Sequence, residues 1–436
     1  MNSIQQITEE KNIQKKGAIC LQNCSYSIVY DVAISMGMYV VKPEESWDLW
    51  WCNTPMDIKK AKNLKKYQKT NHFLGMSEIC RKDSLARNLN KMANSFRDDY
   101  NFYPMTWHLP SDYMKFQIYT SQHKNSTYII KPTAGSRGTG IYITKSPKKI
   151  NLYEHNMICQ LYISKPLLLD GYKFDMRVYT LIASCDPLKI YVYNDGLVRL
   201  ATEPYETPTH NNINDRFMHL TNYSVNKCNK MYIDNELFGS KRRITTLSNW
   251  LRAEGYDEKK IWNEIDDVII KTIILAYPFV NRSYQTCFSG HKYTPACFEI
   301  LGFDVLLDEN CKPYLLEVNH SPDFHTDTSI DKLVKRELLI DTFKLLQLNK
   351  TLKKFVSGEE KWKIQQQTIN SDKNVYKQRT LRCKENFEQQ NNLWESKNMG
   401  NYRLVFSEKN AHLYEHYFYC NESAIYRQTC RASLYY

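Results

Sequence analysis

The stretch KPYLLEVNHSP sets Glu317 and Asn319 two residues apart in a run otherwise made apolar by Tyr314, Leu315, Leu316 and Val318. Alternate side chains along a strand face the same way, so the carboxylate and the amide share a face. An ionised carboxylate buried without a partner is costly. Either a structural partner neutralises Glu317, or the strand carries a binding site. Upstream, LGFDVLL turns Asp304 away from Phe303 and Val305, and YKFDMRVY gathers Lys173, Asp175 and Arg177 opposite Phe174, Met176 and Val178. An acid–x–amide pair beside a further acid is hard oxygen chemistry suited to Mg²⁺. Any one of these strands alone is a weak signal, because surface strands alternate charge routinely. Together the three describe a polar cleft over a sheet.

A second chemical element is KPTAGSRGTGIYI. Gly135, Gly138 and Gly140 let backbone N–H groups approach an anion closely, with Lys131 just ahead of them. The loop joins two strands, whereas the Rossmann and P-loop fingerprints need a helix to follow. Protein kinases also open on a glycine-rich strand–loop–strand, but the chain has no HRD and no DFG to supply a base and a metal-binding acid. For the glycines alone an ordinary hairpin turn is the simpler account; Lys131 and the acidic strands downstream tip the balance toward phosphate.

These side chains need strands to position them. STYIIKP, GIYIT and MICQLYI read as strands rich in Ile and Tyr. YKFDMRVYTLIAS and KIYVYNDGLVRLAT form an expected hairpin through Asp186-Pro187, and CFEILGFDVLLD and KPYLLEVN form another through ENC. Apolar positions Ile261, Ile265, Val268, Ile269 and Ile273 predict a helix that stops at Pro278, and a further helix is expected from about Ile330 to Leu348. From Lys384 onward, Asn, Gln, Tyr and charge mix without the pattern of a compact domain.

The chain of 436 residues is long enough for two or three packed units. Residues 1 to 16 are polar with no apolar signal core, and no run approaches the ~20 apolar residues of a membrane span. The 13 cysteines form no CxxC framework, so reduced thiols are expected. The net charge of +12 is uneven: residues 350 to 384 hold ten Lys or Arg against three acids. Such a block fits an acidic partner, namely nucleic acid, anionic membrane or an acidic protein surface, or else a solvated helix face.

In collinear order, NHFLGMSEICRKDSLARN, YIIKPTAGSRGTGIYIT, MICQLYISKPLLLDGYKFDMRVY, MHLTNYSVNK, GSKRR and ACFEILGFDVLLDENCKPYLLEVNHSP resemble the tubulin tyrosine ligase-like family over roughly residues 20 to 350. Within it the sequence looks most like the polyglutamylases. The resemblance implies an α/β (α+β) ATP-grasp fold of N-terminal, central and C-terminal lobes, with nucleotide between the latter two. The corresponding spans are 1–19 (polar segment), 20–110, 111–200, 201–350, 351–384 (basic, microtubule-binding) and 385–436 (tail).

By the same resemblance Lys82 and Lys131 meet the phosphates of ATP. Gln160, Leu161, Tyr162 and Ile163 form the adenine hinge. Lys173, Phe174 and Asp175 lie at the ribose and phosphates, with Arg137, Gly138, Thr221 and Asn222 also touching nucleotide. Arg177 faces the transferred phosphoryl group, and with Lys131 and Arg137 it makes up the expected catalytic set. Arg199, Tyr223, Ser224, Lys241 and Lys335 line the free glutamate. Asp304, Glu317 and Asn319 match ligands of Mg²⁺.

Arg137 resembles branch-initiating members, whereas His320 resembles chain-elongating ones; both are expected at the acceptor tail, and the overall match favours elongation. The implied reaction activates a glutamate γ-carboxylate of a tubulin tail with ATP and joins free glutamate to it. Alternatives are a branch-initiating glutamylase, a glycylase, or a catalytically silent microtubule-binding protein. A monomer in the cytoplasm and cytoskeleton is expected, with cilium or flagellum as a site of action. Neither nucleic acid nor membrane is an expected partner.

Overall fold

The computed structural model describes residues 17–133, 135, 137–150, 156–291, 294–348, 353, 357–358 and 373–421. Among the described residues three sheets carry the α/β architecture. A parallel sheet near the N-terminus is ordered β2-β1-β3-β4, from β1 (Gly17–Cys20), β2 (Met38–Val41), β3 (Leu49–Trp50) and β4 (Lys69–Thr70). An antiparallel sheet follows in the order β5-β8-β6-β7, from β5 (Thr106–Leu109), β6 (Tyr128–Pro132), β7 (Tyr142–Thr144) and β8 (Met157–Leu161).

The largest sheet runs β12-β11-β10-β13-β14. Its long central hairpin, β10 (Tyr172–Cys185) and β11 (Leu188–Leu200), turns at Asp186-Pro187 as the sequence predicts; short β9 (Leu168–Leu169) pairs with β10. β13 (Glu299–Leu307) and β14 (Pro313–His320) form the second expected hairpin, and β12 (Lys241–Arg243) closes the other edge.

Alternation along these strands divides the sheet. Val178, Phe303 and Val318 point into a core built with Ile265, Ile269 and Ile273 of the Glu258–Phe288 helix. On the opposite face Tyr179, Leu181 and Ile300 pack against Val334 and Leu338 of the Ser329–Leu345 helix. That second helix covers only part of its face. Arg177, Asp304 and Glu317 lie beyond its start, where the sheet opens into a cleft.

Two features depart from the sequence reading. The Glu258–Phe288 helix runs through Pro278 instead of stopping there. Proline lacks the N–H that would bond the Ile274 carbonyl, and the Asn421 amide supplies the missing donor, at 2.9 Å to Ile274 O and 3.1 Å to Leu275 O. The region expected to be a tail from 385 contributes β15 (Tyr402–Phe406), which pairs with β11, and Tyr417 is buried in the main core. A helix spans Lys373–Asn398; the rest of the basic segment 351–384 lies largely outside the described residues.

Candidate active site

The register of the large sheet assembles the charged faces. Arg177 sits across from Asp304, and Asp304 across from Glu317. Arg177 donates from Nε to Asp304 Oδ1 at 2.5 Å and from Nη2 to Oδ2 at 3.1 Å. Arg199, across from Asp175 on β11, donates to both oxygens of Asp175 at 2.7 and 2.6 Å and to Asp304 Oδ2 at 2.7 Å. Burial alone would raise the Asp304 carboxyl, but Arg177 and Arg199 hold it well below the usual carboxylate range. Gly302 makes room for this: a Cβ there would lie 2.9 Å from Arg177 Cδ.

Glu317 is less tightly held. Lys82 approaches it at 3.6 Å, and Asn319 Nδ2 lies 3.4 Å from its Oε1. The Lys82 ammonium also donates to the Gly135 carbonyl of the glycine loop at 3.0 Å. In that loop Arg137 (φ 60°) and Gly138 (φ 75°) are left-handed, and a Cβ on Gly138 would press on Asn222 at 3.2 Å. Ser224 Oγ fastens the loop by donating to the Arg137 carbonyl at 2.6 Å. Two carboxylates and an amide on one face are a donor set that fits a hard divalent cation.

Behind the cleft, two lysines are buried in polar cages. Lys131 donates to Gln160 Oε1 at 2.8 Å, and Gln160 donates on to Thr106. Burial lowers the Lys131 ammonium to about 8 against the opposing pull of Glu317. Lys173 donates to the Tyr162 hydroxyl at 2.8 Å and to the His219 carbonyl at 3.0 Å. Burial lowers it further, to about 7, with Asp175 opposing. His219, beside Tyr162, is pushed down to about 4 by burial and by Lys173, so its ring is neutral.

A cavity of about 600 Å³ spans from Lys82 and the glycine loop past Arg177, Arg199 and Asn319 to Tyr223, Ser224, Lys241 and Lys335. At that far end Asp331 binds Lys241 at 2.6 Å and Lys335 at 2.9 Å. A smaller cavity of about 80 Å³ adjoins it, lined by Lys131, Gln160, Leu161, Tyr162, Ile163, Lys173, Asp175, Thr221 and Asn222. The residues expected at the hinge, phosphates, metal and amino acid therefore share one continuous region, with two exceptions.

Phe174 is one. Its ring is buried in the apolar core with Met176 and Val178, because adjacent residues of β10 face opposite ways. His320 is the other. Alternation turns its ring away from Glu317 and Asn319, and it meets His72 edge-on at 6.1 Å between ring centroids. His72, Glu299 and His320 come close enough to resemble metal ligands. However, His72 Nδ1 already engages Glu299 Oε1 and its Nε2 the Cys52 carbonyl, each at 2.9 Å, while Phe73 N–H donates to Glu299 Oε2 at 3.0 Å. That pair joins the N-terminal sheet to β13 with its polar atoms satisfied.

Sequence reasoning missed Asp331, His219, Gly302 and Thr106. Only Asp331 left a local trace, its four-residue spacing from Lys335 at the start of a helix.

Comparison with known proteins places the chain in a family. The family model described as "Tubulin-tyrosine ligase family" matches residues 58–355. The chain is 44% identical over 425 residues to tubulin polyglutamylase TTLL6 of Mus musculus, covering 97% of this chain and 51% of that protein. It is 45% identical over 407 residues to tubulin polyglutamylase TTLL13 of Mus musculus, covering 92% and 50%. With tubulin polyglutamylase ttll6 of Danio rerio it is 43% identical over 412 residues, covering 94% and 53%. This chain belongs to the tubulin-tyrosine ligase family. It spans about half the length of the curated relatives it matches.

Proposed function

We propose that this chain is an ATP-dependent carboxylate–amine ligase of the polyglutamylase type, joining free glutamate to glutamate side chains of tubulin tails. The observation that carries the reading is the single cavity that runs from the glycine loop and the Lys82–Glu317 pair to the Lys241–Lys335 pair. A nucleotide with its phosphates at one end and an amino-acid carboxylate at the other fits that order of charges. The three-lobed ATP-grasp description, with adenine at the hinge residues 160–163, belongs to the same proposal.

In this reading the acceptor γ-carboxylate takes the terminal phosphoryl group of ATP, giving an acyl phosphate and ADP. The amine of glutamate then attacks the acyl carbon, loses a proton, and expels phosphate as the amide forms. Asp304, Glu317 and Asn319 would hold Mg²⁺, whose charge offsets that of the phosphates. Lys82, Lys131 and Arg177 stabilise negative charge on the transferred group and on the oxyanion that follows. Arg137, at the mouth of the loop, grips the acceptor carboxylate. Closure over the cleft excludes water, which would otherwise hydrolyse the acyl phosphate.

Lys241 and Lys335 favour glutamate over glycine as the amino acid. Elongation is the proposed mode on the overall likeness to polyglutamylases, without help from His320, whose ring faces away from the cleft. Microtubules are the proposed partner of the basic segment, and the cytoskeleton, cilia included, the proposed place of action. Mass spectrometry of tubulin tails incubated with enzyme, ATP, Mg²⁺ and glutamate tests the reading. Added glutamyl masses on glutamate side chains support it; glycyl additions, or none, overturn it.

A further inference from the structure

We infer that Asp331 is the positioning residue of the amino-acid subsite, holding Lys241 and Lys335 as a two-pronged reader for one carboxylate. The inference rests on the glutamate-ligase reading above and extends it to a residue outside the expected set. Lys241 comes from β12, and Lys335 from the second turn of the Ser329–Leu345 helix; Asp331 pairs with both and so connects them. Its Oδ2 takes Lys241 at 2.6 Å and its Oδ1 takes Lys335 at 2.9 Å. All three side chains are at most 5% exposed, yet all three line the cavity.

Asp331 is itself immobilised. Thr328 caps the helix by accepting from the Asp331 N–H at 3.2 Å, and its hydroxyl donates to Asp331 Oδ2 at 2.9 Å. Each ammonium has three donors. Lys335 uses one on Asp331 and one on the His325 carbonyl at 2.5 Å. Lys241 uses one on Asp331 and lies 3.6 Å from the Tyr223 ring centre, where the ring face takes its charge. Donors remain on both lysines for a ligand in the cavity. Two cations sharing one acid leave these three side chains a net charge of +1, which attracts a carboxylate into a cavity that Asp323 and Asp327 also line. Without Asp331 the lysines would repel each other, and two long flexible chains would have to be ordered by the substrate itself.

An acid in the first turn of a helix also serves helix stability alone, so the test must separate the two roles. Asp331→Asn keeps the shape and the Thr328 contact but removes the charge. Steady-state kinetics with a tubulin-tail peptide should show the KM for glutamate rising at least ~10-fold, the loss of one charge-assisted contact of about 1.4 kcal/mol or more. The KM for ATP should change less than ~2-fold and kcat should fall far less than the glutamate KM rises. Asp331→Glu should recover part of the loss.

In a double-mutant cycle, Asp331→Asn should add little once Lys335→Gln is present. If Asp331→Asn does not fold, Thr328→Val, which frees Oδ2 from its hydroxyl donor, should give a smaller rise in the same KM. Parallel rises in both KM values, an unchanged glutamate KM, or full additivity in the cycle overturns the inference while native glutamate ligation stands. Failure of the native chain to incorporate any glutamate would instead overturn the ligase reading beneath it.

Discussion

Raising the pH from about 7.5 to about 8.5 should weaken nucleotide binding by about an order of magnitude. Burial lowers Lys131 to about 8 and Lys173 to about 7, and among the described residues neither has a carboxylate within ion-pairing distance to keep its proton. The Lys131 charge itself lowers Lys173, so molecules with both lysines charged are a minority at the lower pH and fewer still at the higher. Phosphates that require both charges must draw on that fraction, a cost that grows by on the order of 1 kcal/mol over the interval. Near pH 8, binding should take up about one proton, the larger share at Lys173.

Titration calorimetry in buffers of different ionisation enthalpy measures that uptake directly. Lys131→Arg, charged throughout the range, should remove part of it. The unliganded protein should show the reverse trend. Its folded state binds these protons less tightly than the unfolded chain, whose lysines titrate near ~10.4, so stability rises with pH from about 7 toward that value. Nucleotide affinity that stays flat across the interval, with fewer than ~0.3 protons taken up, would refute the reasoning.

Glu317→Gln should abolish ligation while leaving the melting temperature close to native, since the Glu317 side chain borders the cleft and is partly exposed; near-normal glutamate incorporation at physiological Mg²⁺ counts against the metal assignment. Neutralising Lys361, Lys363, Lys373 and Lys377 together should weaken microtubule binding and flatten its salt dependence, with activity on a free tail peptide largely kept. Equal losses on both substrates would mean that the segment supports the fold. Asn421→Ala should cost ~1–3 kcal/mol in denaturant unfolding by leaving the Ile274 carbonyl unpaired above Pro278; a change below ~0.5 kcal/mol would mean that water satisfies it. Arg137→Gln should slow ligation more on unbranched than on pre-branched peptides, whereas His320→Ile, its ring outside the cleft, should affect the two equally. A selective loss on branched peptides in His320→Ile would mean that the ring swings into the site.

The hairpins around the cleft were legible because each long strand carries Val, Ile, Tyr or Phe on one face and charge on the other. That same alternation announced the shared face of Glu317, Asn319 and Asp304. Which charges meet was not legible. Arg177 pairs with Asp304 and Arg199 with both Asp175 and Asp304 only because of strand register, set by contacts more than a hundred residues apart in the case of Asp304. The continuation through Pro278 was hidden for a like reason, its rescuing donor lying at Asn421. β15 was masked by polar neighbours: Tyr402, Val405 and Phe406 make too short a strand to stand out without the β11 edge that receives it.

Phe174 and His320 show which kind of sequence evidence to weigh more heavily. Both entered the expected site through resemblance to a motif, and both sit one residue from a position that does face the cleft. Period-two geometry had already put Phe174 opposite Lys173 and Asp175, and it puts His320 opposite Asn319 by the same rule. The sheet obeys that rule at both places, burying Phe174 in the core and turning His320 toward His72. Motif likeness identifies a segment as belonging to the site; along a strand, it is the pleat that decides which of its side chains reach in. The residue that likeness passed over, Asp331, lies on a helix, where four-residue spacing set it beside Lys335. Spacing read against the local period thus bears on individual side chains in a way that the motif as a block does not.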